Sequence, residues 1–274
     1  MTSTKTSFNL FCATAAPLFG LLALGLAAET QAGMISRLYV SSGNGIHVLQ
    51  GSSILNSWSA PGGSENPIAV NTTVRTMGSV SFAATGREYT LSGTQTGTTY
   101  THTFGGAQFN DGTTDGTYIY AVDFNTGIVR RFDSNWANPV SLFDAGGVSE
   151  FLGITYDTSN NSLWLSGWNN NFVRNFSMTG SLLSSFSTGH TQNAALALDP
   201  ADGTLWLRNR TVANRFEQYS KTGTLLNIQD YPGLLGASTL GAEFAVPEPA
   251  SLSLTLVGLT VLGLATLRKK HRRA

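Results

Sequence analysis

Short apolar segments alternate with Gly, Asn and Asp turns through most of the chain, and the clearest pattern is a repeat. Four strand-length segments occur at 153–157, 162–165, 172–176 and 179–183. They recur about 42 residues later at 195–199, 204–207, 214–219 and 222–226. Because polar turns bound each apolar run, each copy predicts a small antiparallel sheet of four strands.

Weaker copies precede these two. A third copy has segments at 115–120, 128–132 and 141–143, and a fainter one has segments at 80–84, 88–91 and 98–104 without a clear fourth strand. The first copy, at 37–40, 45–49 and 53–55, lacks an inner strand. Residues 240–245 at the far end could supply that strand and so close a ring.

The repeat predicts an all-β protein with a β-propeller fold. Four strands in each repeat of about 40 to 45 residues are typical of propeller blades, which must stack because one blade cannot bury both its faces. The length of 33–245 predicts five blades, with six as the alternative count. The trace is similar to NHL-type or YVTN-like propeller repeats. A β-sandwich with coincidental periodicity is the competing interpretation.

A different pattern begins at residue 246. Val246, Pro247, Glu248 and Pro249 precede 18 uncharged residues, 250–267. At about 1.5 Å per residue, such a helix spans roughly 27 Å, enough to cross a hydrocarbon core. A basic tail follows and predicts a cytoplasmic end: Arg268, Lys269, Lys270, Arg272 and Arg273. A buried C-terminal helix of a soluble domain is the alternative.

The N-terminal residues predict a secretory signal peptide over 1–32. Lys5 provides a weak basic region, 10–28 are apolar, and Thr30 and Ala32 are small residues suited to cleavage after 32. An uncleaved anchor helix is the alternative. Cys12 is the single cysteine of the chain. A protein cleaved after residue 32 therefore has no disulfide and no thiolate chemistry.

The C-terminal pattern resembles the PEP-CTERM sorting signal of Gram-negative bacteria. The resemblance covers 246–274, about a tenth of the chain, and places the recognition motif on Pro247, Glu248 and Pro249. It implies export, cleavage by the membrane protease-transpeptidase exosortase, a transient anchor in membrane lipid, and delivery to the cell surface or exopolysaccharide matrix. It implies nothing about 33–245.

Charge and composition restrict the body further. Residues 33–245 contain ten Lys/Arg and fourteen Asp/Glu, so we expect no nucleic-acid partner. The histidines His47, His102 and His190 are far apart in sequence and lack metal-ligand spacing, so we expect neither a metal nor a cofactor.

Two sets of side chains are candidates for carbohydrate chemistry. Trp168, Asn169, Asn170 and Asn171 form the best candidate ligand patch, although an ordinary turn is the simpler interpretation. Glycoside hydrolysis needs two convergent carboxylates. The candidates near inner strands are Glu150, Asp157, Asp199 and Glu243. Trp164 and Trp206 occupy equivalent repeat positions and are expected to pack between blades.

The sequence therefore predicts an exported, surface-sorted, non-enzymatic propeller that acts as a structural or binding module. The alternative is a carbohydrate-binding or carbohydrate-active propeller: a lectin in the first place, and a lyase or hydrolase in the second. Three or more carboxylates and aromatics at one channel mouth would favour the alternative. A channel lined by Ala, Ser and Gly would favour the first interpretation.

Overall fold

The computed structural model describes residues 33–79, 85–101, 106–234 and 238–245. In these residues, strands form five antiparallel sheets of four strands each, and five apolar clusters fill the spaces between neighbouring sheets. The molecule is a five-bladed β-propeller, which confirms the predicted fold class and blade count. The C-terminal segment predicted to cross the membrane lies outside the described residues.

The strands follow the chain blade by blade. Blade 1 contains β1 (Leu38–Ser41), β2 (Gly45–Gln50) and β3 (Ser53–Ser59). Blade 2 contains β4 (Ile68–Val70), β5 (Thr73–Thr76), β6 (Thr85–Thr90) and β7 (Gln95–Thr101). Blade 3 contains β8 (Thr113–Thr114), β9 (Tyr118–Val122), β10 (Ile128–Asp133) and β11 (Val140–Asp144). Blade 4 contains β12 (Phe151–Asp157), β13 (Ser162–Gly167), β14 (Phe172–Ser177) and β15 (Leu182–Ser187). Blade 5 contains β16 (Asn193–Leu198), β17 (Leu205–Asn209), β18 (Arg215–Tyr219) and β19 (Leu225–Asp230), and β20 (Gly241–Phe244) follows it.

The two ends of the body meet in blade 1. Strand β20 pairs antiparallel with β1, with Tyr39 opposite Glu243, so the last strand of the body is the innermost strand of the first blade. This arrangement confirms the ring closure that the sequence predicted from 240–245. The backbone N–H of Ala245 also donates to the carbonyl of Arg37, and the closure therefore ends one residue before the C-terminal motif.

Threonine hydroxyls explain part of the sequence repeat. The hydroxyl of Thr113 in β8 accepts the backbone N–H of Tyr156 in β12, at 3.0 Å. The hydroxyl of Thr155 in β12 accepts the N–H of Leu198 in β16 at 3.1 Å. Each link joins the inner strands of consecutive blades, so a threonine at this repeat position fastens one blade to the next.

Glycines explain another part of the repeat. Gly180 and Gly223 lie in the turn before the outer strand, with φ of +86° and +89°. A Cβ at Gly180 would lie 2.7 Å from the Cβ of Phe143, and one at Gly223 would lie 2.5 Å from that of Phe186. Glycine is needed here both for the left-handed backbone and for the close approach of the preceding blade.

The repeated tryptophans pack between blades, as predicted. Trp164 lies in the cluster between blades 4 and 5, and Trp206 in the cluster between blades 5 and 1. Both indoles are buried. Trp136, in the turn after β10, is also buried, in the cluster between blades 2 and 3.

Blade 2 differs most from the sequence prediction. Its inner strands are β4 and β5, which the repeat did not reveal, because one has only three residues and the other only four. The strand predicted over 80–84 lies outside the described residues. The outer strands β15 and β19 also begin three residues later than predicted, because the Gly180 and Gly223 turns take up the first residues of those segments.

Candidate functional site

One carboxylate joins four blades at the axis of the propeller. The side chain of Asp111, two residues before β8, is fully buried. Its two oxygens accept four backbone N–H groups at 2.9–3.1 Å, from Gly112, Ile154, Leu196 and Ala242. Burial raises the pKa of Asp111 well above its usual range. The four N–H groups lower this pKa, but burial has the larger effect.

Small residues make room for this side chain. At the repeat spacing, Gly153 and Ala195 are equivalent to Asp111. A Cβ at Gly153 would collide with the carbonyl of Ala194 in the neighbouring blade, so the inner strands approach each other closely. A single carboxylate is therefore accommodated at the repeat position where blades 4 and 5 contribute little or no side chain.

Glu243 is the second carboxylate at the axis. Its side chain is buried, and its Oε2 has no hydrogen-bond partner among the described residues. Burial, together with the nearby Asp111 carboxylate, raises the pKa of Glu243 well above its usual range. Burial thus favours the neutral form of Glu243, whereas the oxygens of Asp111 accept backbone N–H groups. Two enclosed carboxylates surrounded by small residues differ from the open funnel that an axial active site would need.

The other candidate carboxylates are used in turns and ion pairs. Asp157 accepts the indole N–H of Trp164 at 3.1 Å and pairs with Lys221 at 2.6 Å. Asp199 accepts the backbone N–H groups of Ile35 and Ser36, each at 3.1 Å. Glu150 lies 3.9 Å from Arg174. The structure therefore brings Glu243 to the axis and leaves these three elsewhere.

Sequence reasoning missed Asp111 as an axial residue. In the sequence, Asp111 and Asp115 both lie in a polar segment that is typical of a turn. Asp115 does serve a turn, since it accepts the backbone N–H groups of Thr117 and Tyr118 at 2.7 Å. The role of Asp111 depends on amides that are 43, 85 and 131 residues away, and no local sequence signal announces them.

The predicted ligand patch lies in the loop between β13 and β14. The amides of Asn169 and Asn170 donate to the backbone carbonyls of Ser149 and Glu150, and thus fasten this loop to the one before β12. The carbonyl of Asn171 accepts the backbone N–H of Thr188 at 2.8 Å. The polar part of the patch is therefore occupied by contacts between loops.

Trp168 is half-buried between two other loops. The guanidinium of Arg210 lies over its ring, 5.3 Å from the centroid, and the ring of Phe124 meets it at 6.4 Å in an edge arrangement. Successive blades contribute Phe124, Trp168 and Arg210, each at the start of the loop that joins the second and third strands. A sugar ring would have to share Trp168 with Arg210, and the ligand patch stays a prediction.

A histidine–carboxylate pair lies at the edge of blade 5, with His190 partly buried and Glu217 buried. Nε2 of His190 lies 2.8 Å from Oε2 of Glu217, which also accepts the hydroxyl of Tyr219 at 2.6 Å. The amide of Asn209 donates to the other oxygen at 2.8 Å. Although burial opposes it, these three donors lower the pKa of Glu217 to about 2. Both carboxylate oxygens of Glu217 accept hydrogen bonds, so the pair links the loop before β16 to blade 5.

Neither a metal centre nor a membrane helix is present in the part of the chain that the structure describes. In that part, no three His, Cys, Asp or Glu side chains gather as metal ligands would. Within the same residues, no helix has the length and apolarity needed to span a bilayer. The predicted sorting motif, apolar segment and basic tail, 246–274, lie outside it, as do the predicted signal peptide, 1–32, and His102.

Comparison with protein families identifies the C-terminal segment. The PEP-CTERM protein-sorting motif matches residues 245–270. The chain is therefore an exosortase-targeted, exported protein with a propeller body, and its sorting signal implies transient membrane anchoring. A search of curated proteins gives no match.

Solved structures support the fold alone. A structure described as a nidogen/laminin complex has 13% identity and a TM-score of 0.53, and the match covers 78% of this chain and 100% of that one. Glutaminyl cyclase from Myxococcus xanthus has 15% identity and a TM-score of 0.53, with 80% and 87% of the two chains covered. Virginiamycin B lyase from Staphylococcus aureus has 14% identity and a TM-score of 0.45, over 73% and 67%. At such identities the enzymatic names do not transfer to this chain.

Proposed function

We propose that this protein is a non-enzymatic structural or binding module of the cell surface or exopolysaccharide matrix, released from its C-terminal segment by exosortase. The observation that carries the proposal is the position of the sorting motif. Strand β20, which closes the ring, ends at Phe244, and the motif match begins at residue 245. Cleavage at Pro247–Pro249 would therefore leave every strand of the propeller in place.

The surroundings of the axis support a non-enzymatic role. The axial carboxylates Asp111 and Glu243 are buried, and the His190–Glu217 pair has its acceptors occupied by neighbouring donors. Catalysis by a carboxylate needs a group that can reach a substrate proton. In the described residues, these arrangements suit a scaffold better than an acid–base site.

The membrane contacts follow from the same proposal. The apolar residues 250–267 would hold the precursor in lipid, and the basic residues would stop its transfer: Arg268, Lys269, Lys270, Arg272 and Arg273. Exosortase would recognise Val246, Pro247, Glu248 and Pro249 on the side of the membrane that faces away from the cytoplasm. The exopolysaccharide would then contact the propeller and not the membrane anchor.

The test is a substitution in the motif. In cells that contain the sorting enzyme, Glu248→Ala or Pro249→Ala should block release and leave a membrane-bound precursor of higher apparent mass. Glu243→Gln is the matched control, because it lies five residues upstream and inside the folded ring. Normal surface delivery and unchanged mass of the Glu248→Ala protein would refute the proposal.

A further inference from the structure

A groove lined by polar side chains and by Trp58 lies beside blade 1, away from the propeller axis. It has a volume of about 540 Å³, within the range of roughly 300–1,000 Å³ that small-molecule sites occupy. The loop between β1 and β2, the end of β3 and the segment before β20 form its walls. The polar residues that line it are Ser42, Asn44, His47, Ser57, Ser59 and Ser238.

Among the described residues that line the groove, none is Asp, Glu, Lys or Arg. Burial lowers the pKa of His47, so its imidazole is neutral at neutral pH. A cationic ligand would find no carboxylate here, and an anionic ligand would find no guanidinium or ammonium group. The groove therefore suits an uncharged ligand that forms many hydrogen bonds.

A buried imidazole fixes one hydroxyl of the groove. His47 is only 6% exposed, and its Nδ1 lies 2.8 Å from Oγ of Ser57. The hydroxyl of Ser42 donates to the carbonyl of Gly45 at 3.0 Å, and its Oγ lies 3.4 Å from Nε2 of His47. With its proton on Nε2, His47 accepts the Ser57 hydroxyl at Nδ1. The exposed Ser57 oxygen then keeps its lone pairs for a donor in the groove.

The remaining groups complete a set that matches sugar hydroxyls. The exposed amide of Asn44 can donate and accept, and Ser59 adds another exposed hydroxyl. Groups held in place before binding lose less entropy when the ligand arrives. We propose that this groove binds an uncharged glycan, with Ser57 accepting a hydrogen bond from a sugar hydroxyl. The inference rests on the proposed role as a surface binding module.

The experiment measures oligosaccharide binding to the full chain, in a detergent without a sugar headgroup. Maltotetraose and cellotetraose are the uncharged probes, and tetragalacturonic acid is the charged one. Calorimetry and saturation-transfer NMR should detect binding of at least one uncharged probe and at least tenfold weaker binding of the acidic one. Ser57→Ala and Asn44→Ala should each weaken binding of the uncharged probe by roughly tenfold. Ser184→Ala, at an exposed position on outer strand β15, should change nothing.

Three results would overturn the inference: no binding of either uncharged probe, equal binding of the acidic probe, or binding that survives both groove variants. Circular dichroism and melting temperature check that Ser57→Ala and Asn44→Ala still fold. The result is separable from sorting. A protein that is cleaved and delivered normally but binds no probe would contradict the groove and leave the proposed surface role standing.

Discussion

Blade 2 and blades 4 and 5 have the same four-stranded architecture, but different interactions stabilise them. In blades 4 and 5, buried indoles and glycine turns recur at the repeat spacing, and the hydroxyl of Thr155 links the two blades. In blade 2, two glutamates organise the sheet. Glu65 is fully buried and contacts Arg87 at 2.9 Å, Tyr89 at 3.0 Å and the hydroxyl of Thr76. Glu88 pairs with Arg75 at 3.0 Å.

The difference shows why one sequence contains both a clear and a faint repeat. Apolar packing constrains residue type at fixed positions, so it leaves a periodic trace. A polar network constrains a set of partners whose positions depend on one another, and it leaves none. The N–H donors of Asp111 also come from blades 1, 3, 4 and 5, so blade 2 depends more on its own network.

The largest loss of stability should come from Asp111→Ala, which removes the side chain that accepts N–H groups from blades 1, 3, 4 and 5. It would leave four buried N–H groups without a partner, and each typically costs about 1–3 kcal/mol. We expect a loss of at least about 4 kcal/mol in the free energy of unfolding, measured by urea denaturation of the full chain. Asp115→Ala is the control, because its carboxylate accepts only groups of its own blade: the backbone N–H groups of Thr117 and Tyr118 and the hydroxyl of Tyr120. Equal losses for the two variants would show that the axis is not special.

Glu65→Ala should be next and should act locally. Removing one partner of a buried ion pair typically costs about 3–5 kcal/mol, and the partial exposure of Arg87 places this variant at the lower end. Hydrogen exchange should accelerate in β5 and β6 while β13 and β17 stay protected. Glu88→Ala, at a more exposed pair, should have a smaller effect. Uniform acceleration in all blades would contradict the separate organisation of blade 2.

A smaller effect should separate the two regular blades. The indole N–H of Trp164 donates to Asp157, whereas that of Trp206 has no partner among the described residues. Trp164→Phe should therefore destabilise the protein by about 1 kcal/mol more than Trp206→Phe, the value of one hydrogen bond. Thermal unfolding of both variants measures the difference. A larger loss of stability for Trp206→Phe would mean that packing, and not the indole hydrogen bond, determines the difference.

The smallest effect concerns two histidines with opposite pKa shifts. Although burial opposes it, Glu217 raises the pKa of His190, so this pair stabilises the fold below about pH 6.5 and the contribution is lost as pH rises. Burial lowers the pKa of His47, whose contribution is present above about pH 6.5 and is lost as pH falls. Unfolding free energies across this range should show the wild type converging with His190→Gln at high pH and with His47→Gln at low pH. Parallel curves would contradict both assignments.

The sequence was sufficient to predict the features that recur along the chain or depend on neighbouring residues. The strands around Trp164 and Trp206 and the closure by 240–245 were predicted, because periodic apolar runs and turn residues specify them. The sequence did not reveal β4 and β5, or the axial role of Asp111. Short strands bear little periodicity, and the environment of Asp111 is made by amides from distant blades. The serines around His47 gave no signal either, because three separate segments assemble them.

The central claim is that the ring is complete before the sorting motif, so that release leaves the propeller intact. Intact-mass spectrometry of the protein recovered from the surface of cells with the sorting enzyme tests it most directly. We predict a single folded species that retains β20 and ends between residues 245 and 250. Surface protein that retains residues 250–274, or that ends before residue 241, would contradict the account.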